Sequence, residues 1–442
     1  MKPQFMIAAP ASGSGKSTFM LGLLHTLREQ GIKVQPFKCG ADHIETLHHT
    51  IIAEQDSINL DLGLASRTHL QYIYNKYGEH ADVCITEGTM GLYDGYRRMQ
   101  GSCAEIAQLL NLPVILIVNA RATAYSIAPL LYGFRSFNSS VKIVGVIFNQ
   151  VVSSAHFSIL KEACTDAGIK CLGYLPPMED ISLPLRHQSI TQTERQIIQT
   201  TASKVSEQIK NHVDINKILN LCTRIFPCPY ILPYTSEIGI EMLHSPQRKQ
   251  MKVAIARDPA FCFTYRVNID KLAELGEITY FSPVYGNDLP EADLVYLPGG
   301  YPEFFARQLH RRKRFMRQIK DYAENGGRIL AECGGMVVLS RSFTVKKGGT
   351  AYAMANILPF DCTAVESRLT TGYRRMNCQA TEWKGHEFHY SSIMNPEILP
   401  SSKQLYTPTG SEVPTSLYRY KNVIAGYPHW YWGETDILQL WE

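Results

Sequence analysis

The feature that most constrains this chain lies at its start. An apolar run at residues 5–9 leads into Pro10-Ala11-Ser12-Gly13-Ser14-Gly15-Lys16-Ser17-Thr18, and a helix-like stretch continues to Gln30. A buried strand, a glycine loop and a helix in that order make a phosphate cradle, because the loop and the first helical turn turn their backbone N–H groups toward anionic oxygens. Lys16 adds a positive charge and the Ser17 hydroxyl a ligand for Mg2+. Ser12, Gly13, Ser14, Gly15, Lys16, Ser17 and Thr18 are therefore the expected nucleotide-binding residues, with ATP and Mg2+ as the expected ligands. Pro10 stands where the first glycine of GxxxxGK[ST] would be.

Such a loop belongs to a parallel sheet, and the following sequence supplies one. Strand-length apolar runs recur at residues 33–37, 83–86, 114–118 and 143–148, each followed by enough chain for a helix and a return. A second series begins at 252–256 and continues at 278–281, 294–297 and 328–331, with a helical stretch over 304–325. At 442 residues the chain is too long for one ordinary core. The expectation is α/β throughout: a P-loop domain over 1–210, a linker over 211–250 that holds Pro227, Pro229 and Pro233, and a second α/β domain over 251–442.

Composition excludes several classes. Apolar residues form 45% of the chain and 17 Phe, 24 Tyr and 4 Trp supply bulky core material, so disorder is ruled out. The net charge is +4 and the basic residues at 310–314 are the main cluster of one sign, which argues against a nucleic-acid partner. The longest apolar stretch, 112–118, contains Pro113 and is far short of the ~20 residues of a spanning helix, so no membrane partner is expected. Eleven scattered cysteines without a CxxC point to a reducing cytosol rather than to disulfides or a structural metal.

Carboxylates follow the strands where a metal–nucleotide site could use them. Asp42 and Glu45 come after the second run, and Glu87 directly ends the third. Ligands of open α/β sheets bind at the carboxyl ends of strands, which favours Glu87 in particular. Asp94 closes the glycine-spaced loop that Glu87 opens.

In the second half, Ala331-Glu332-Cys333-Gly334-Gly335 puts a cysteine at a strand end with glycines that permit a sharp turn into a helix. That is a nucleophile elbow carrying sulfur, and a thiol there can be activated by the helix N-terminus and an imidazole. His429, after the run at 423–427, fits the base, with His386 and His389 as rivals. Backbone N–H groups of Gly299, Gly300 and Gly334 could receive an oxyanion.

A P-loop half joined to a cysteine-elbow half suggests glutamine-dependent amidation. The chain resembles the cobyrinic acid a,c-diamide synthase family over almost its whole length. The resemblance is carried by Gly40-Ala41-Asp42-His43-Ile44-Glu45, Asn59-Leu60-Asp61, the Glu87 to Gly95 loop, Gly145 to Asn149, Ala256 to Phe261, Gly299-Gly300-Tyr301-Pro302-Glu303, the Cys333 elbow, and Gly385 to Ser391. It implies a class I glutamine amidotransferase-like C-terminal domain, with Cys333 as glutaminase nucleophile and His429 as its partner. It also implies that Asp42 and Glu87 serve carboxylate activation near the metal and that Asp94 lies at the corrinoid site. The family usually reads Gly-Pro-Asp-Tyr-Ile-Asp where this chain has Ala41, His43 and Glu45. Triad amidotransferases carry a Glu two residues after the histidine; Tyr431 stands there, so a Cys/His dyad is expected.

The expected reaction forms an acyl phosphate on the a and c carboxylates of cobyrinate and aminates it with nitrogen from L-glutamine. A corrinoid polycarboxylate calls for cations, for which Arg186 and Arg374 are candidates. Hydrogenobyrinate or nickel-sirohydrochlorin is the nearest alternative acceptor, and cobyric acid synthase chemistry fits less well. From another class, a P-loop regulatory ATPase with a non-catalytic C-terminal binding domain would turn over ATP without hydrolysing glutamine. The enzyme would be cytoplasmic and could act alone or as a homodimer.

Overall fold

A computed structural model of the chain describes residues 1–179, 181, 183, 191–228, 250–286, 288–365, 368–379 and 381–442. The chain divides into two compact units, the first built from its N-terminal half and the second from its C-terminal half.

The first unit follows the expected βα alternation. Strands β1 (Lys2–Ala8), β2 (Val34–Cys39), β3 (Ile58–Leu60), β4 (Val83–Glu87), β5 (Val114–Asn119), β6 (Ile143–Asn149) and β7 (Cys171–Leu175) form one sheet in the order β3-β2-β4-β1-β5-β6-β7, all parallel. Near-continuous burial along β2, β4 and β5 is what a sheet covered on both faces demands. Helix α1 (Lys16–Glu29) leaves the phosphate loop and packs on α7 (Gln192–His212), where Gly22 admits Val205 and Ile209; a Cβ at Gly22 would lie 2.4 Å from Val205. The expected linker starts too early. Residues 211–228 hold helix α8 (Ile215–Leu221) and strand β8 (Thr223–Arg224), which pairs antiparallel with β1, because Ile218 and Cys222 are apolar and bury fully in this unit.

In the second unit, β9 (Met251–Ala256), β10 (Gly276–Phe281), β11 (Leu294–Leu297), β12 (Arg328–Glu332) and β21 (Val423–Gly426) form a parallel core in the order β10-β9-β11-β12-β21. The sheet continues through antiparallel strands, among them β16 (Thr370–Cys378), β17 (Thr381–His389), β20 (Glu412–Tyr420) and β22 (His429–Tyr431). Both faces are buried: Ala254, Val295 and Ile329 join one core with Phe305 and Ile319, while Val253, Leu294 and Leu330 join another with Leu272 and Trp430. All eleven cysteines are free. Among the described residues no helix is long and apolar enough to cross a membrane.

Candidate functional sites

The first site assembles at the carboxyl ends of β1, β2 and β4, and strand register explains why. Glu87 pairs with Ile7 of β1 on one side and with Lys38 of β2 on the other, so the acid, the lysine and the phosphate loop must be neighbours. In the loop, Gly15 has φ +101° and a Cβ there would sit 2.2 Å from the Asn149 side chain, which makes glycine obligatory. Asn149 donates to the Ser14 carbonyl at 3.1 Å, and the Lys16 ammonium donates to the Met90 carbonyl at 2.7 Å, which ties the phosphate loop to the Glu87–Gly95 loop.

Ser17 Oγ lies 2.7 Å from Glu87 Oε1 and 2.9 Å from Glu45 Oε1. One hydroxyl proton serves one of those carboxylates, so the cluster holds more acceptor oxygens than protons, a donor set suited to a hard divalent cation. Among the described residues no three His, Cys, Asp or Glu side chains are grouped to hold a metal. Behind the oxygens, the buried Lys38 ammonium pairs with Glu45 and lies 3.5 Å from Glu87 Oε1, while donating to the Gly88 carbonyl at 2.9 Å. His49 Nε2 holds the other Glu87 oxygen at 2.6 Å and its Nδ1 contacts Ser57 Oγ. Burial alone would raise the Glu87 carboxyl, but Lys38 and His49 overcome it and hold it below its ordinary 4.5. Burial likewise opposes the Lys38 charge, and Glu45 and Glu87 overcome it, raising the ammonium above 10.5. Glu87 therefore stabilises the fold above pH 4.5 and loses that contribution as pH falls through its depressed folded value. Lys38 contributes below pH 10.5 and loses it only as pH rises through its raised one.

Asp42, an expected ligand together with Ser17 and Glu87, is placed differently from those two. Its Oδ1 accepts the N–H groups of Ile44 and Glu45 at 2.9 and 2.7 Å and so caps helix α2 (Ile44–Ala53), while its charge adds to the field on Lys38. Asp94 Oδ2 accepts the Gly91 N–H at 2.8 Å and holds its own loop in shape. Arg186 lies outside the described residues. Arg374 is not a surface cation: it is nearly buried, with Nε 2.5 Å from Glu387 and 3.2 Å from Thr415 Oγ1.

The second site lies where β12 and β21 end side by side. Cys333 follows β12 at φ +46°, ψ −106°, a conformation costly for any L-residue with a side chain, and leads into helix α12 (Gly334–Leu339). The parallel register pairs Glu332 with Gly426, which brings His429, three residues beyond, to the same edge. Gly299 fits between the two: a Cβ there would lie 2.1 Å from His429 Cε1 and 3.1 Å from Cys333 Cβ. Gly300 and Gly334 are also in contact, since a Cβ on Gly334 would approach the Gly300 nitrogen to 3.2 Å, and the Gly334 N–H donates to the Cys333 sulfur. Burial, then the charge of Glu303, pushes the Cys333 thiol up.

The rival histidines are otherwise engaged. His389 stacks on Tyr427 with ring centroids 3.6 Å apart and binds Glu387 at 2.8 Å and the Ser391 carbonyl at 2.6 Å. His386 pairs with His429 across β17 and β22 but turns to Tyr373, and burial, helped by Arg374, lowers it to about 4. Neither the sequence motifs nor their spacing singled out Glu332. Its Oε2 accepts the Tyr296 hydroxyl at 2.7 Å, its Oε1 accepts the Trp430 N–H at 2.9 Å, and Oε2 stands 4.0 Å from His429 Nδ1. Burial pushes this carboxyl up to about 8. An acid at the buried end of an apolar strand was the available signal. Lys38 and His49 were missed too, because only strand pairing and a helix turn bring them to Glu87.

Two family models cover most of the chain. A CobQ/CobB/MinD/ParA nucleotide binding domain matches residues 5–190, and a CobB/CobQ-like glutamine amidotransferase domain matches residues 252–437. Cobyrinate a,c-diamide synthase of Caldanaerobacter subterraneus is 34% identical over 96% of this chain and 94% of its own. Hydrogenobyrinate a,c-diamide synthase of Brucella anthropi is 34% identical over 96% and 97%, and cobyrinate a,c-diamide synthase of Dehalococcoides mccartyi is 32% identical over 99% and 96%.

Proposed function

Since the chain belongs to the cobyrinate and hydrogenobyrinate a,c-diamide synthase family, we propose that it amidates the a and c carboxylates of cobyrinate with nitrogen from glutamine, at the expense of ATP, in the cytosolic synthesis of cobalamin. The observation that carries this reading is the Cys333–His429 pair flanking Gly299, in a chain whose other unit gathers Ser17, Glu87 and Lys16 at a phosphate loop.

In the second unit, Cys333 Sγ attacks the side-chain carbonyl carbon of glutamine while His429 takes the thiol proton. The backbone around Gly299, Gly300 and Gly334 receives the oxyanion. The tetrahedral adduct collapses to a γ-glutamyl thioester as the nitrogen takes the proton from His429 and leaves as ammonia. Water then releases glutamate and restores the thiol. Glu332 is a positioning residue here: its carboxyl, held by the Tyr296 hydroxyl and the Trp430 N–H, stands 4.0 Å from His429 Nδ1 and orients the ring, in place of the acid that triad enzymes carry after the histidine.

In the first unit, a substrate carboxylate oxygen attacks the γ-phosphorus of ATP and ADP leaves. Ammonia then attacks the acyl phosphate and phosphate departs, leaving the amide. Lys16 and the loop N–H groups bind the phosphates, and Lys38 fixes Glu87 and Glu45 as carboxylates. Mg2+, when bound with ATP, neutralises charge on the transferring phosphoryl group; Ser17 and Glu87 would hold it, with Asp42 adding its charge to the same cluster. Asp94 and Arg186 are proposed to take part in binding the corrinoid.

Incubating the enzyme with MgATP, glutamine and, separately, cobyrinate, hydrogenobyrinate and nickel-sirohydrochlorin should yield two successive amidations of cobyrinate by mass spectrometry. No amide on any of the three, with ATP and glutamine both consumed, would defeat the assignment of acceptor. ATP turnover without glutamine hydrolysis would favour the regulatory ATPase.

Two changes probe the glutaminase site. Gly299→Ala drives a methyl into the His429 ring, and a displacement of about 1 Å costs on the order of 100-fold in rate. Glutamine hydrolysis should fall by that amount while amidation from ammonium persists. Glu332→Gln should slow glutamine hydrolysis and also change the pH dependence of stability. Folding raises this carboxyl from 4.5 to about 8, so its contribution is full below pH 4.5 and is lost as pH climbs toward 8, by about 1.4 kcal/mol per pH unit at most. The melting temperature of the wild type should therefore decline between pH 5 and pH 8 more than that of Glu332→Gln; parallel profiles would show that Glu332 is ionised throughout.

A further inference from the structure

The Cys333 thiol lines a small pocket whose wall also includes Gly300, Glu303, Gly334, His389 and Ser391. Two charged or chargeable side chains besides the nucleophile face it. His389 has both ring nitrogens occupied, one by Glu387 and the other by the Ser391 carbonyl. Glu303, in the first turn of helix α10 (Pro302–Arg311), accepts its own backbone N–H and has no cationic partner among the described residues. A carboxylate set into a cavity wall without a counter-charge is costly unless the cavity's ligand supplies one.

We propose that Glu303 is the specificity residue of the amide-donor site and binds the α-ammonium group of glutamine. The inference rests on the glutaminase reading of this cavity and extends it from the reacting amide to the other end of the substrate. The placement suits an amino acid with a side-chain amide: its amide must reach Cys333, and its amino end then meets the cavity wall, where Glu303 is the available negative charge. It also couples binding to chemistry. The Glu303 charge opposes ionisation of Cys333, so a bound ammonium that neutralises Glu303 favours the thiolate when substrate is present.

The test removes the contact from either side. Glutaramic acid is glutamine without its α-amino group. The full-length wild type should prefer glutamine to glutaramate by at least about 100-fold in kcat/KM, since a site built to bind a polar group rejects the analogue that lacks it. In Glu303→Gln that preference should shrink to within about fivefold, chiefly through a higher KM for glutamine, and Glu303→Asp should retain part of it. A merely structural role would lower both substrates together and leave the ratio unchanged, which would overturn the assignment. If Glu303→Gln does not fold, a wild-type preference near one overturns it equally. Absence of Cys333-dependent glutamine hydrolysis in the wild type would overturn the glutaminase reading, and the assignment with it.

Discussion

Cys333→Ala is expected to abolish glutamine-driven amidation, with glutamine hydrolysis down by about 10⁴-fold or more, because no other group at the elbow can form the thioester. The loss should be confined to the nitrogen source. The residue contributes one small buried side chain at the edge of a large apolar core, so removing sulfur leaves the packing around Met336 and Val337 nearly intact. Synthesis from ammonium should then run near the wild-type rate, because the phosphate loop and its carboxylates lie in the other unit. Steady-state assays with glutamine and with ammonium side by side check both halves of the statement. Equal loss with both donors would mean that the cysteine is needed for the fold or for the amidation step itself.

The second large effect is expected at a residue with no place in the sequence motifs. Lys38→Met removes the buried cation that lies between Glu45 and Glu87 and leaves two like charges beside Ser17. Removing one partner of a buried ion pair costs about 3–5 kcal/mol, since the remaining charge is neither solvated nor compensated. Calorimetry should show an unfolding transition moved to markedly lower temperature, and ammonium-driven amidation should be lost as Glu87 takes up a proton or moves. Adding Glu45→Gln to Lys38→Met removes the excess negative charge and should restore part of the stability. A shift below about 1 kcal/mol in the single variant would show that the carboxylates do not depend on Lys38.

The division between what the sequence revealed and what it hid follows from the range of the interactions. The phosphate loop, the cysteine elbow and the alternation of strands and helices are local patterns, set by glycines at turns and by apolar runs of strand length, and the α/β fold of both units follows from them. His429 was legible because it trails a strand-like run as Cys333 does. The supporting groups were not. Lys38 and Glu87 are 49 positions apart and meet because β2 pairs with β4 in one register. Glu332 backs His429 across nearly a hundred residues, through the pairing of β12 with β21. The linker was misjudged for the same reason: its prolines are local signals, but the pairing of β8 with β1 depends on a partner over 200 positions upstream.

The most direct test of a single enzyme that moves nitrogen from one unit's reaction to the other's uses glutamine labelled with 15N in its side-chain amide. With MgATP and cobyrinate, both new amides should carry the label, and one ATP and one glutamine should be consumed for each. Unlabelled amides, or steady hydrolysis of ATP and glutamine with no label in the corrinoid, would contradict the account.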